Sequence, residues 1–158
     1  MGALAARDLV HRDPGTGGVA VAYPFSGTPT RHRVRLSTGA EVFAMCAIDA
    51  LGIAFMLDQP TTVHSTDPTP ARRSRRQSAP TTPGGTPADA NVILAGVPAV
   101  AGSQSARCTC PHTNFIASPQ SGEDQPQQAG EITGQLLSMP DAIAIARETF
   151  GTLLSPTH

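Results

Sequence analysis

The sequence contains no lysine and no tryptophan, and aromatic residues make up only 4% of it. All 11 basic residues are therefore arginine, and against 12 acidic residues they leave a formal net charge of -1. Such a balance gives no overall pull toward nucleic acid or an anionic membrane. The one basic run, Arg72-Arg73-Ser74-Arg75-Arg76, has no aromatic residue near it and reads as a solvated loop. The longest apolar run, residues 42–57, is interrupted by Asp49 and is too short to cross a bilayer. Three cysteines do not make a disulfide framework. The first residues lack both a basic-then-apolar signal pattern and the Ser or Thr of a myristoylation site. The expectation is a cytoplasmic protein, with no membrane or nucleic-acid partner, whose thiols stay reduced.

At 158 residues, with 15 glycines, 15 prolines and 39% hydrophobic residues, the chain fits one loop-rich domain with a modest core. The pattern predicts an α+β fold: a mixed, mainly antiparallel sheet, one central cysteine-bearing helix and a C-terminal helix. Residues 19–23 read as a strand, and RHRVRL at 31–36 alternates polar and apolar as a half-buried strand does. Residues 41–44 form a third short strand that feeds a helix over 45–57, which Pro60 stops. TTVHST at 61–66, residues 91–95, 112–118 and 132–137 are further strand candidates, and 119–128 begins a short polar helix. Ser138 caps a final helix with Pro140 in its first turn and Gly151 at its end. Residues 1–18 are dense in turn formers after a possible helical turn and are assigned to an N-terminal arm, leaving 19–158 as the core. Residues 67–89 hold five prolines, four arginines and little to bury, so they are expected to lack regular structure.

Within the central helix, Cys46 and Asp49 stand three residues apart and so on one face. A carboxylate inside an apolar run is costly unless it has a partner or a task. The first turn of a helix would also favour the thiolate of Cys46. The same spacing fits a plain core cysteine beside an Asp that caps locally. A second thiol segment, Cys108-Thr109-Cys110-Pro111-His112, has three readings: a metal site, a redox pair or incidental thiols. A Cys-x-Cys pair strains to close on itself, and the paired spacings of a four-ligand zinc site are missing. Thiolates with one carboxylate prefer a soft, thiophilic metal to Mg²⁺ or Ca²⁺. His11, His32, His64 and His158 show no ligand spacing and are taken as surface or local, and His112 as structural.

The order YPFSGTPTRHRV (23–34), AMCAIDALG (44–52) and CTCPHTNFIAS (108–118) resembles the catalytic core of organomercurial (alkylmercury) lyases. Cys46 and Asp49 match that family's helix-borne Cys and Asp. Counting back from Asn114-Phe115-Ile116-Ala117-Ser118 places Cys110, rather than Cys108, at the second catalytic cysteine. Family members carry an N-terminal helical domain, for which only residues 1–18 remain here. A β-hairpin follows their Ser-x-Asp-Pro turn, where this chain has its Arg/Pro-rich loop.

The resemblance implies protonolysis of a carbon–mercury bond, giving a hydrocarbon and Hg(II). Cys46 and Cys110 would bind mercury, Asp49 would carry the proton, and all three would hold the product, with Cys108 an auxiliary thiol at most. No organic cofactor is implied. The partners are a small organomercurial substrate and, as product acceptor, thiols or a mercuric reductase. The rival class is a non-enzymatic thiol module for mercury or copper, or an inactive relative.

Overall fold

The computed structural model describes residues 8–66, 68, 76–81, 91–96, 104–116 and 133–154. Every strand pairing among them is antiparallel, and two sheets form where one was expected. The larger has seven strands: β1 (Val10–Arg12), β2 (Val19–Ala22), β3 (Phe25–Ser26), β4 (His32–Leu36), β5 (Glu41–Ala44), β6 (Thr61–Thr66) and β7 (Arg76–Thr81). Their spatial order is β1-β2-β3-β5-β4-β6-β7. The smaller sheet has β8 (Asn91–Gly96) between β9 (Asn114–Ile116) and β10 (Thr133–Ser138).

The alternation in β4 sets the larger sheet. His32 and Val34 point into the core while Arg33 and Arg35 lie on the other face, each paired with Glu41 at 3.3 and 3.1 Å. Val34, fully buried, sits in register with Val42 of β5 and Val63 of β6. In the smaller sheet Leu137, Val92 and Phe115 form a matching buried row across three strands. Such cross-strand apolar pairs fix register, because a slip of one residue would turn the row outward.

Helix α1 (Ala47–Met56) runs through the middle, with Ala47 to Phe55 all buried. A helix apolar on every side must be enclosed. It packs on β4, β5, β6 and β9, and on the C-terminal helix. At Gly52 a methyl group would fall 2.1 Å from Phe150 Cδ2, so only glycine lets the two helices approach this closely. Further along, the Arg147 guanidinium lies 5.0 Å above the Phe55 ring. The short α2 (Ser105–Cys108) and a 3-10 turn (Cys110–His112) form the corner before β9. Helix α3 (Met139–Phe150) starts as expected: Ser138 Oγ accepts from the Asp141 N–H, and Pro140 stands in the first turn.

Three expectations change. Residues 67–89 were expected to lack regular structure, yet residues 76–81 pair with β6 along its whole length as an edge strand. Backbone pairing with β6 does not require side chains that bury, so a segment with little to bury can still form a strand. Residues 10–12, expected to belong to a helical turn and a turn-rich arm, are a strand that is the outer neighbour of β2, and residues 25–26 form another. His32 is buried, not superficial. Residues 1–7 of the helical turn expected over 1–10, the remainder of 67–89 apart from residue 68, the helix over 119–128 and His158 lie outside the described residues.

Candidate active site

Helix α1 begins after an abrupt change of backbone. Cys46 is its N-cap, extended at φ -150° and ψ -177°, and not a first-turn residue as expected. Two backbone bonds pin this entry. Met45 N donates to Pro24 O at 3.2 Å, and Ala47 N donates to Thr113 O at 3.1 Å. The first N–H groups of a helix lack partners within it, and here the corner that carries Cys110 supplies one. Thr113 is itself fixed: its hydroxyl donates to Thr109 O at 3.1 Å and accepts from Ala95 N at 3.3 Å. The two thiol segments are thus joined by main chain before any side chain is considered.

The result is a three-residue cluster. One ligand atom each from Cys46, Asp49 and Cys110 lies within 4.8 Å of the others, and all three residues are buried. Cys110 Sγ donates to Asp49 Oδ2 at 3.8 Å. The two sulfurs lie within 4.8 Å of each other, close enough for one metal ion to touch both. Cys108, on α2, is half-buried and outside the cluster.

Burial sets the electrostatics. It pushes the Asp49 carboxyl up from 3.8 to about 6, while hydrogen bonds from the Cys46 and Cys110 thiols and the Cys46 backbone N–H hold it down. Asp49 stands at the third helical position and reaches back to the N-cap, as a capping-box acid does. Burial likewise pushes the Cys46 thiol well up, helped by its neighbours Cys110 and Asp49. The helix terminus was expected to favour the thiolate of Cys46; desolvation outweighs it.

Sequence reasoning gave no role to Tyr23, whose hydroxyl lies 3.4 Å from Cys110 Sγ. Its place at the head of the 23–34 motif was the available signal. A cavity of about 640 Å³ is lined by His11, Arg12, Met45, Gln104 and Arg107 among others. Its walls include the residue before Cys46 but none of the three cluster residues.

Residues 25–151 match the family model of alkylmercury lyases, which covers most of the chain and both thiol segments. The chain belongs to the alkylmercury lyase family. Among solved structures it is similar to the mercury-bound form of MerB2, with a TM-score of 0.73 and 21% identity. That match covers 94% of this chain and 70% of the other, and shows a shared fold. No curated protein matches. In this alkylmercury lyase family chain no described helix is long and apolar enough to cross a membrane.

Proposed function

We propose that the chain cleaves carbon–mercury bonds by protonolysis, with Cys46 and Cys110 as mercury ligands and Asp49 as proton carrier. The observation that carries this reading is the convergence of two sulfurs and one carboxylate within 4.8 Å in a buried setting. Mercury is soft and takes thiolates in preference to harder ligands.

The bonds and protons balance as follows. The substrate enters as R–Hg–SR′, an organomercurial carried on a small thiol. Cys46 exchanges with R′S, its proton leaving on the R′SH released. Cys110 then bonds to mercury as its own proton passes to Asp49, the acceptor it already faces at 3.8 Å. Two sulfurs push electron density onto the carbon, and Asp49 delivers the proton there as the Hg–C bond breaks. The products are R–H and Hg(II) held by both sulfurs, with the Asp49 carboxylate free to join them. A carboxyl raised to about 6 suits this double duty, since it both takes and gives a proton near neutral pH.

Hg(II) then leaves to thiols or a mercuric reductase, and the setting is the cytoplasm. No organic cofactor enters the scheme. Residues 19–158 are taken as the core and residues 1–18 as an N-terminal remnant or arm, of which residues 10–12 join the larger sheet as β1. The test is release of benzene from phenylmercury in excess thiol, run beside a mercury-binding titration. Benzene release with turnover is expected. Stoichiometric mercury capture without any benzene would give the case to the thiol-module reading.

A further inference from the structure

We propose that Tyr23 is a positioning residue for the lyase reaction, its phenol hydroxyl holding the Cys110 sulfur toward Asp49 and Cys46. This rests on the three-residue site proposed above. The hydroxyl lies 3.4 Å from Cys110 Sγ, and that sulfur donates onward to Asp49 Oδ2 at 3.8 Å. A thiol has a single proton to donate. With that proton directed at Asp49, the sulfur faces Tyr23 only as an acceptor, so the phenol is the donor. The order is Tyr23 O–H to Cys110 S–H to the Asp49 carboxylate. After the thiol proton has moved, the phenol remains a donor on the sulfur that binds mercury.

Tyr23 is itself held on several sides. Its N–H donates to Leu9 O at 3.0 Å, and the edge of the His11 ring meets its ring at 6.4 Å and 84°. His11 Nε2 in turn lies 2.7 Å from Asp8 Oδ1. The next residue, Pro24, accepts from Met45 N, one position before Cys46. A single dipeptide therefore touches both thiol segments, Cys110 by side chain and Met45, the residue before Cys46, by main chain. Residues 8–12 gain a purpose in this arrangement: β1 backs the tyrosine that backs the cysteine.

Tyr23→Phe removes the hydroxyl and keeps the ring. The expected result is a kcat for benzene release lower by about three- to ten-fold, the worth of one ordinary hydrogen bond. KM for phenylmercury and the unfolding midpoint should stay at wild-type values, which a loss of packing would not allow. A second readout needs no turnover: protein loaded with Hg(II) alone is mixed with excess monothiol. Because an unheld Cys110 sulfur turns away from the metal more readily, transfer out of Tyr23→Phe should be faster by a similar factor. Wild-type kcat together with a wild-type transfer rate overturns the proposal. If the wild-type protein releases no benzene, the lyase reading falls, and the transfer rate still decides for or against Tyr23.

Discussion

Two buried polar clusters meet the segment from Cys110 to Ile116, one through Cys110 and one through Phe115, and they behave in opposite ways. One is Cys46, Asp49 and Cys110. The other is built on His32, whose Nδ1 is 2.9 Å from Ser65 Oγ. That contact is fixed by sheet register, since His32 and Ser65 are directly opposed on β4 and β6. The imidazole also meets the Phe115 ring edge-on at 5.8 Å. Burial drives the His32 ring down to about 3, assisted by Arg31, while Asn114 pulls weakly the other way. His32 is therefore a neutral strut near pH 7. The cysteine cluster has two thiols and one carboxylate, so its protons can change places. Burial of polar groups is common to both; only in one do the buried atoms include soft ligands and a movable proton.

The largest break in this contrast is expected from Asp49→Asn, where the thiols remain and the proposed proton carrier is lost. Benzene release should fall by about 10²–10⁴-fold, while Hg(II) titration still shows capture. Cys110→Ser should weaken capture and cleavage together, because a hydroxyl is a poor ligand for mercury. Full activity in Asp49→Asn would remove the carboxylate from the mechanism.

A smaller effect sharpens the comparison through pH. The raised Asp49 carboxyl contributes stability below its unfolded value of 3.8, and this is lost as pH rises through about 6. The lowered His32 contributes stability above 6.5, and this is lost as pH falls toward about 3. The two slopes oppose each other between pH 3.8 and 6. Asp49→Asn should thus gain stability relative to wild type at pH 7 over pH 4, by on the order of 3 kcal/mol. His32→Asn should lessen the acid-side loss by an amount of the same order. Denaturant unfolding at pH 4, 5 and 7 reads both, and parallel curves for the two variants would show that the clusters are not opposed.

The smallest effect is expected at Cys108, which stands outside the cluster. Cys108→Ser should change kcat and mercury capture by no more than about twofold, as neutral half-exposed substitutions do. A Cys108→Ser variant worse than Cys110→Ser would exchange the roles of the two thiols.

Local pattern was enough for much of this molecule. Alternation at 31–36, the β-branched run at 61–66 and the Ser138-Met139-Pro140 helix start all lie where short-range physics puts them. The Cys46–Asp49 spacing and the count back from Asn114 likewise selected the residues that converge. Other features were silent in the sequence because their cause is remote. The pairing of β7 is supplied by β6, and β1 is a strand because β2 offers it an edge. His32 looks like any strand histidine until Ser65 stands opposite it. Tyr23 acquires a partner 87 residues away only when the sheet brings β2 beside the Cys110 corner. Sequence alone determined which thiols and which carboxylate are available, since side-chain type and helical spacing are local properties, and the family resemblance singled out Cys110 from Cys108. Tertiary structure decided their protonation, because desolvation of Cys46 and Asp49 depends on everything packed around them.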